Sequence, residues 1–95
     1  MRNYELTFII APDVEDQDVQ AVVEKVGRWV EADGGEVTSV DLWGRRKLAY
    51  PIRDYSEGTY VLLNVQLEPT ALDELERNLK LDMSLIRYLL VRVEG

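Results

Sequence analysis

Apolar residues along this 95-residue chain repeat first with the period of a strand, then of a helix, then of a strand twice over, then of a helix, and last of a strand. That order constrains the fold more than any other feature, because each period commits a segment to one way of burying its apolar face. Tyr4, Leu6, Phe8 and Ile10 alternate with Glu5, Thr7 and Ile9, which predicts a strand with one face in the core. Pro12 and Asp13 break the pattern. Val19, Val22, Val23, Val26 and Val30 then recur at helical spacing until Gly34 and Gly35 supply a stop. Gly27 inside that helix costs about 1 kcal/mol relative to alanine, so it is expected where the helix lies close to a sheet.

From Val37 the period is two again. Val40, Leu42, Leu48, Tyr50 and Ile52 share one parity, which assigns Tyr50 to the core, and Gly44 and Arg46 interrupt the pattern as a bulge or a departing strand would. Pro51 cannot donate to a ladder, so this is an edge strand. RDYSEG reads as the turn. Val61, Leu63, Val65 and Leu67 alternate with Tyr60, Leu62, Asn64 and Gln66 in a strand apolar enough on both faces to be central. Pro69 and Thr70 open a second helix, with Thr70 as its cap, Asp73 in the reciprocal position and Leu72, Leu75 and Leu79 as the buried stripe. Residues 85–93 form the last strand. The order is that of a single ferredoxin-like α+β domain spanning residues 1–95, a βαββαβ chain with a four-stranded antiparallel sheet and two helices on one face.

The chain has no cysteine, so neither disulfides nor thiolate metal sites are expected. Hydrophobic residues at 46% and charged residues at 31% suit a globular chain that folds alone. FIIA and YLLV, the longest apolar runs, are too short for a bilayer, and MRNYE lacks the apolar core of a signal peptide, so a cytoplasmic location is expected.

The net charge of −7 hides an uneven distribution. Residues 1–42 carry three basic and ten acidic side chains, residues 43–53 carry Arg45, Arg46, Lys47 and Arg53 with no acid, and residues 54–95 carry four basic and eight acidic. Screening cuts long-range repulsion off within about 8–10 Å at physiological salt, so the local basic segment can still meet phosphates.

Catalysis finds little support. Histidine and cysteine are both absent, which removes the usual base near neutral pH and the usual thiol nucleophile. Asp13, Glu15, Asp16 and Asp18 crowd a helix start, where anions favour the macrodipole. Glu24 stands at the last-ligand spacing of a calcium loop counted from Asp13, but Asp18 occupies the place that loop needs for glycine. IIAPDVEDQ has no cation or glycine to hold a phosphate. RNA-recognition modules of this topology stack bases on aromatics of their first and third strands, whereas EGTYVLLNV offers only Tyr60. The sheet face away from the helices, with Ile9, Tyr60, Leu62, Leu89 and Val91, has the apolar character of a partner-protein interface.

MRNYELTFIIAPDVED, GGEVTSVDLWGRRKLAYPIRDYSEGTYVLLNVQL and SLIRYLLVRVE together resemble the bacterial small-subunit ribosomal protein number six family over nearly the whole chain. The most specific part is Gly44, Arg46, Leu48, Ala49, Tyr50, Pro51 and Ile52, preceded by Trp43; Met1, Arg2, Tyr4 and Glu5 are a weaker marker. Many members continue into a polar tail, and this sequence stops at Gly95. The resemblance implies a ferredoxin-like domain of the bacterial small ribosomal subunit, bound to ribosomal RNA of the central domain together with small-subunit ribosomal protein number eighteen. It also implies no catalysis and no cofactor.

On that reading Arg45, Arg46 and Lys47 contact RNA, with the alternative that they guard an exposed strand edge against pairing with other chains. Arg2, Arg87 and Arg92 lie on neighbouring terminal strands as a second basic strip. Trp43 is assigned to packing, with base stacking as the alternative. The isolated chain is expected to be a monomer. The competing reading is a homo-oligomeric regulatory or ligand-binding domain of the same fold, dimerising through the open sheet face.

Overall fold

The computed structural model describes residues 1–93; Glu94 and Gly95, the end of the expected domain, lie outside the described residues. Its elements are β1 (Arg2–Ile10), α1 (Asp16–Ala32), β2 (Glu36–Ile52), β3 (Tyr55–Leu67), a short 3-10 turn (Pro69–Ala71), α2 (Leu72–Leu81) and β4 (Leu85–Val93). The strands form one antiparallel sheet in the order β2-β3-β1-β4, the expected ferredoxin-like arrangement. β3 is central and β2, with Pro51, lies at an edge, as the sequence predicts.

Both helices lie on one face of the sheet. Tyr4, Leu6, Phe8 and Ile10 of β1 and Val61, Leu63, Val65 and Leu67 of β3 meet Val22, Val23, Val26 and Val30 of α1 and Leu75 and Leu79 of α2 in one buried cluster. α1 ends as Gly34 and Gly35 foretell: Gly34 takes φ 84° and donates to Glu31, while Gly35 donates to Val30 at 3.1 Å, the paired bonds of a Schellman stop.

Three local expectations need correction. Thr70 does not cap α2: Pro69 starts a 3-10 turn in which Ala71 donates to Glu68 and Leu72 to Pro69, so backbone carbonyls satisfy these N–H groups and no side-chain cap forms. The turn between β2 and β3 is tighter than RDYSEG. Ile52 faces Tyr55, and Arg53 and Asp54 between them take φ of 50° and 68°, the two left-handed residues that a type I′ connection needs. Gly27 is not required by close approach, since a Cβ there meets only Val37 Cγ2 at an ordinary 3.8 Å.

The close approaches are at Gly35 and Gly58. A Cβ on Gly35 would stand 2.6 Å from the Val30 carbonyl oxygen, and one on Gly58 would stand 2.4 Å from Ile9 Cγ2 and 2.9 Å from the Ile10 carbonyl oxygen. Gly27→Ala is therefore expected to stabilise the protein by about 0.5–1 kcal/mol through helix propensity. Gly35→Ala and Gly58→Ala are expected to destabilise it by about 1–3 kcal/mol through overpacking. Urea unfolding of the three variants checks the signs.

The turn from α2 into β4 is tied to α1 by Lys25, whose Nζ lies 2.5 Å from Asp82 Oδ2, while the Ser84 hydroxyl and backbone N–H also donate to Asp82. Burial pushes the Asp82 carboxyl up, but the hydrogen bonds from Lys25 and Ser84 and the Lys25 charge outweigh it and hold the carboxyl below its ordinary 3.8. A carboxyl held low in the folded state stabilises the fold fully above its unfolded pKa and loses that contribution as pH falls through the folded value. Stability is thus expected to drop below about pH 4, with Asp82→Asn less stable at neutral pH and showing a shallower acid limb in thermal unfolding.

Candidate nucleic-acid and partner interface

The functional surface is set by two irregularities in β2. Register shifts between Leu42 and Gly44, where Gly44 takes φ 87°, so two residues of β2 oppose one of β3 and the alternation of faces inverts. Val40 and Leu42, opposite Leu63 and Val61, sit on the helix side, whereas Gly44 and Arg46, opposite Tyr60 and Gly58, sit on the open face. Between Lys47 and Ile52 the ladder breaks again, and residues 48–51 leave β3 and curl over the open face.

That inversion overturns the core assignment of Tyr50. Its side chain is 57% exposed, and its hydroxyl accepts a 2.8 Å hydrogen bond from Arg87 Nη1, which belongs to β4 at the far edge of the sheet. A groove of about 260 Å³ lies beneath, lined by Thr7, Ile9, Leu48, Tyr50, Arg87 and Leu89 among others. The signal for it was the glycine-marked bulge: carrying the parity through Gly44 with one residue added places Leu48 and Tyr50 on the open face.

The expected partner-interface residues all belong to the open face, but not all are available. Ile9 is corrected to buried, 7% exposed, because it packs with Ala11 and Ile86 in a second small cluster roofed by Leu48, Tyr55 and Tyr60. Leu62 and Tyr60 are half-buried, and Leu89 and Val91 are exposed. Opposite Thr7 on β1 stand Leu62 on one side and Leu89 on the other, so these residues form one row across the sheet.

The cations divide by face. Arg45, opposite Thr59, lies on the helix side and is engaged within the molecule: Nη1 is 2.9 Å from Glu57, and Nη2 donates to the Pro12 carbonyl and lies 3.8 Å from Asp16. Lys47, opposite Glu57, shares that side but is exposed, and Arg46 lies on the open face with its guanidinium 5.4 Å from the centre of the Trp43 ring. Among the described residues neither Arg46 nor Lys47 has an ion-pair partner.

The second basic strip does not form. Arg92, opposite Tyr4, and Arg2, opposite Leu67, share the helix side at one end of the sheet, while Arg87, opposite Ile9, lies on the open face toward the other end. Residues an odd number apart along a strand point to opposite faces, which separates Arg87 from Arg92.

Trp43 is only partly a packing residue. It is 44% exposed, its Nε1 donates to Asp41 at 3.0 Å, and its ring is parallel to Tyr60 within 5° at a centroid separation of 6.4 Å. The acidic side chains at the start of α1 make local contacts: Asp13 accepts from the Tyr55 hydroxyl, and its charge, with burial and the hydrogen bond, raises the Tyr55 pKa. Among the described residues no three His, Cys, Asp or Glu side chains gather as a metal site.

The family model for Ribosomal protein S6 matches residues 3–92. The chain belongs to the ribosomal protein S6 family. It is 48% identical to small ribosomal subunit protein bS6 of Moorella thermoacetica over 99% of this chain and 96% of that protein, and 46% identical to that of Desulforamulus reducens over 97% of each. It is also similar to the crystal structure of 30S ribosomal protein S6 from Thermotoga maritima, with a TM-score of 0.92 and 33% identity over 97% of this chain and 87% of that one. These relatives are named as ribosomal proteins and none as an enzyme, in agreement with the lack of a catalytic constellation expected from the sequence.

In this S6-family chain the three adjacent cations are not equivalent. Arg45→Gln removes the ties to Glu57 and the Pro12 carbonyl and is expected to lower stability by about 0.5–1 kcal/mol. Arg46→Gln and Lys47→Gln are expected to stay within about 0.5 kcal/mol of the parent. Thermal unfolding of the three single variants makes the comparison.

Proposed function

We propose that this chain is a structural component of the bacterial small ribosomal subunit. In this reading it acts on the ribosome in the cytoplasm and binds ribosomal RNA of the central domain together with small-subunit ribosomal protein number eighteen. The observation that carries the reading is the family match across residues 3–92, nearly the whole chain. The surface agrees with such a role. Arg46 and Lys47 stand on the edge strand without carboxylate partners, suited to phosphate oxygens, and most contacts of this kind position a protein rather than read sequence. Leu89 and Val91, 61% and 44% exposed beside Leu62, give a partner protein an apolar strip to cover.

A chain of net charge −7 with few free cations neutralises few phosphates. Alone it is expected to be a monomer with weak RNA affinity and a logarithmic salt slope of about two to four. The partner is expected to tighten binding, because joined weak contacts act at high effective concentration. Arg46→Gln with Lys47→Gln should flatten the slope by about two, while Arg45→Gln leaves it unchanged. Light scattering on nucleic-acid-free protein and filter binding to a central-domain transcript, with and without the partner, test this. A stable dimer, or RNA affinity unmoved by the partner, would overturn it.

A further inference from the structure

The aromatic pattern of RNA-recognition modules fails on β1 and β3, which offer only Tyr60, but the fold sets a second aromatic from β2 beside it. Of packing and base stacking for Trp43, the geometry favours stacking. Trp43, next to the helix-side Leu42, takes the open face by plain alternation, and the Gly44 bulge brings Arg46 to the same face, so the Trp43 ring lies parallel to Tyr60 and beside the Arg46 guanidinium. We propose that Trp43 and Arg46 form a platform for one unstacked nucleobase of an RNA strand, an inference that rests on the RNA-binding role proposed above.

Three observations carry it. Trp43 belongs to neither buried cluster and is 44% exposed, whereas Trp29, the other tryptophan, packs against the core. Its orientation is nevertheless fixed by the bond from Nε1 to Asp41, by the parallel Tyr60 ring and by Arg46. An indole held rigid but left half in water is a pre-ordered stacking surface, since little further freedom is lost when a planar ligand settles on it. Third, Arg46 has no ion-pair partner among the described residues, so its guanidinium is available to stack on a base or to bond the adjoining phosphate.

Charge orients the ligand. The Asp41 carboxylate beside the indole N–H opposes a phosphate but not a neutral base, so the backbone of the bound nucleotide runs on the Arg46 side. Lys47 points to the other face of β2 and does not share the site.

The test uses a Trp29→Phe background, in which emission reports Trp43 alone. Titration at low salt with a short single-stranded oligoadenylate is expected to quench the emission, and an abasic oligomer of equal length and charge is expected not to. Adding Trp43→Leu should weaken oligoadenylate binding at least about fivefold, while Trp43→Tyr keeps it within about twofold. Thermal unfolding confirms that the variants are folded, with Trp43→Tyr as the reference if Trp43→Leu is not. Equal quenching by both oligomers, or unchanged affinity in folded Trp43→Leu, would overturn the inference. So would loss of partner-protein binding by Trp43→Leu in the absence of RNA, which would make the ring a protein contact. Assembly of small-subunit particles separates the two claims: if Trp43→Leu enters particles like the parent and oligoadenylate quenches nothing, stacking falls and the ribosomal reading stands. If the parent itself fails to enter, the ribosomal reading falls.

Discussion

Gly44 adopts a backbone conformation, φ 87°, that other L-residues rarely take, in the middle of the 17-residue β2. The residue added there gives one strand two surfaces. Before it, Val40 and Leu42 face the helix side; after it, Arg46, Leu48 and Tyr50 face the open side. The same bulge puts Arg45 on the helix side, where it reaches Asp16, Glu57 and Pro12, and Arg46 on the open face beside the Trp43 ring. A continuous strand would put Tyr50 under the helices and exchange the faces of Arg45 and Arg46, leaving no groove beneath Tyr50 and no Arg46 beside the Trp43 ring.

A second constraint fixes the end of the β2-β3 hairpin. Gly58 has no room for a Cβ because Ile9 Cγ2 and the Ile10 backbone fill that space, so the hairpin presses directly on β1. Leu48, Tyr55 and Tyr60 then roof Ile9, Ala11 and Ile86, a small core on the face that otherwise meets solvent. Burial there, at about 25 cal/mol per Å² of apolar surface, offsets the ordering of residues 48–51 outside the regular ladder. The hydrogen bond from Arg87 to Tyr50 and the bond from Arg53 to the Leu85 carbonyl fasten the curled segment to β4.

Element order, the alternation of β1 and β3, the Gly34-Gly35 stop and the edge position of β2 were legible because each follows from local periodicity or from one residue's backbone limits. Tyr50 and Ile9 were misplaced for the complementary reason. Parity along β2 depends on how many residues the bulge adds, and the burial of Ile9 depends on a segment forty residues away folding over it; neither is recorded in a local window. Thr70 had the right chemistry for a cap, but Pro69 began a tighter turn first. The three-cation run was legible as basic. Its division into one structural arginine and two free cations was not, because that depends on which face each side chain takes and on Asp16 and Glu57 arriving beside it.

The layered fold also separates the acidic side chains of this chain from its basic edge. Seven of its acidic side chains sit on α1 and α2, and both helices lie behind the sheet. Arg45 ties one of these seven, Asp16 at the start of α1, and one further carboxylate, Glu57 on β3, so local pairing lowers the negative field near the β2 edge. Screening confines the remaining repulsion to about 8–10 Å, less than the depth of a sheet with helices behind it. The net charge therefore describes the chain at long range, where it disfavours indiscriminate association with nucleic acid. At contact distance the local charge of the β2 edge, with Arg46 and Lys47, counts for more than the net value.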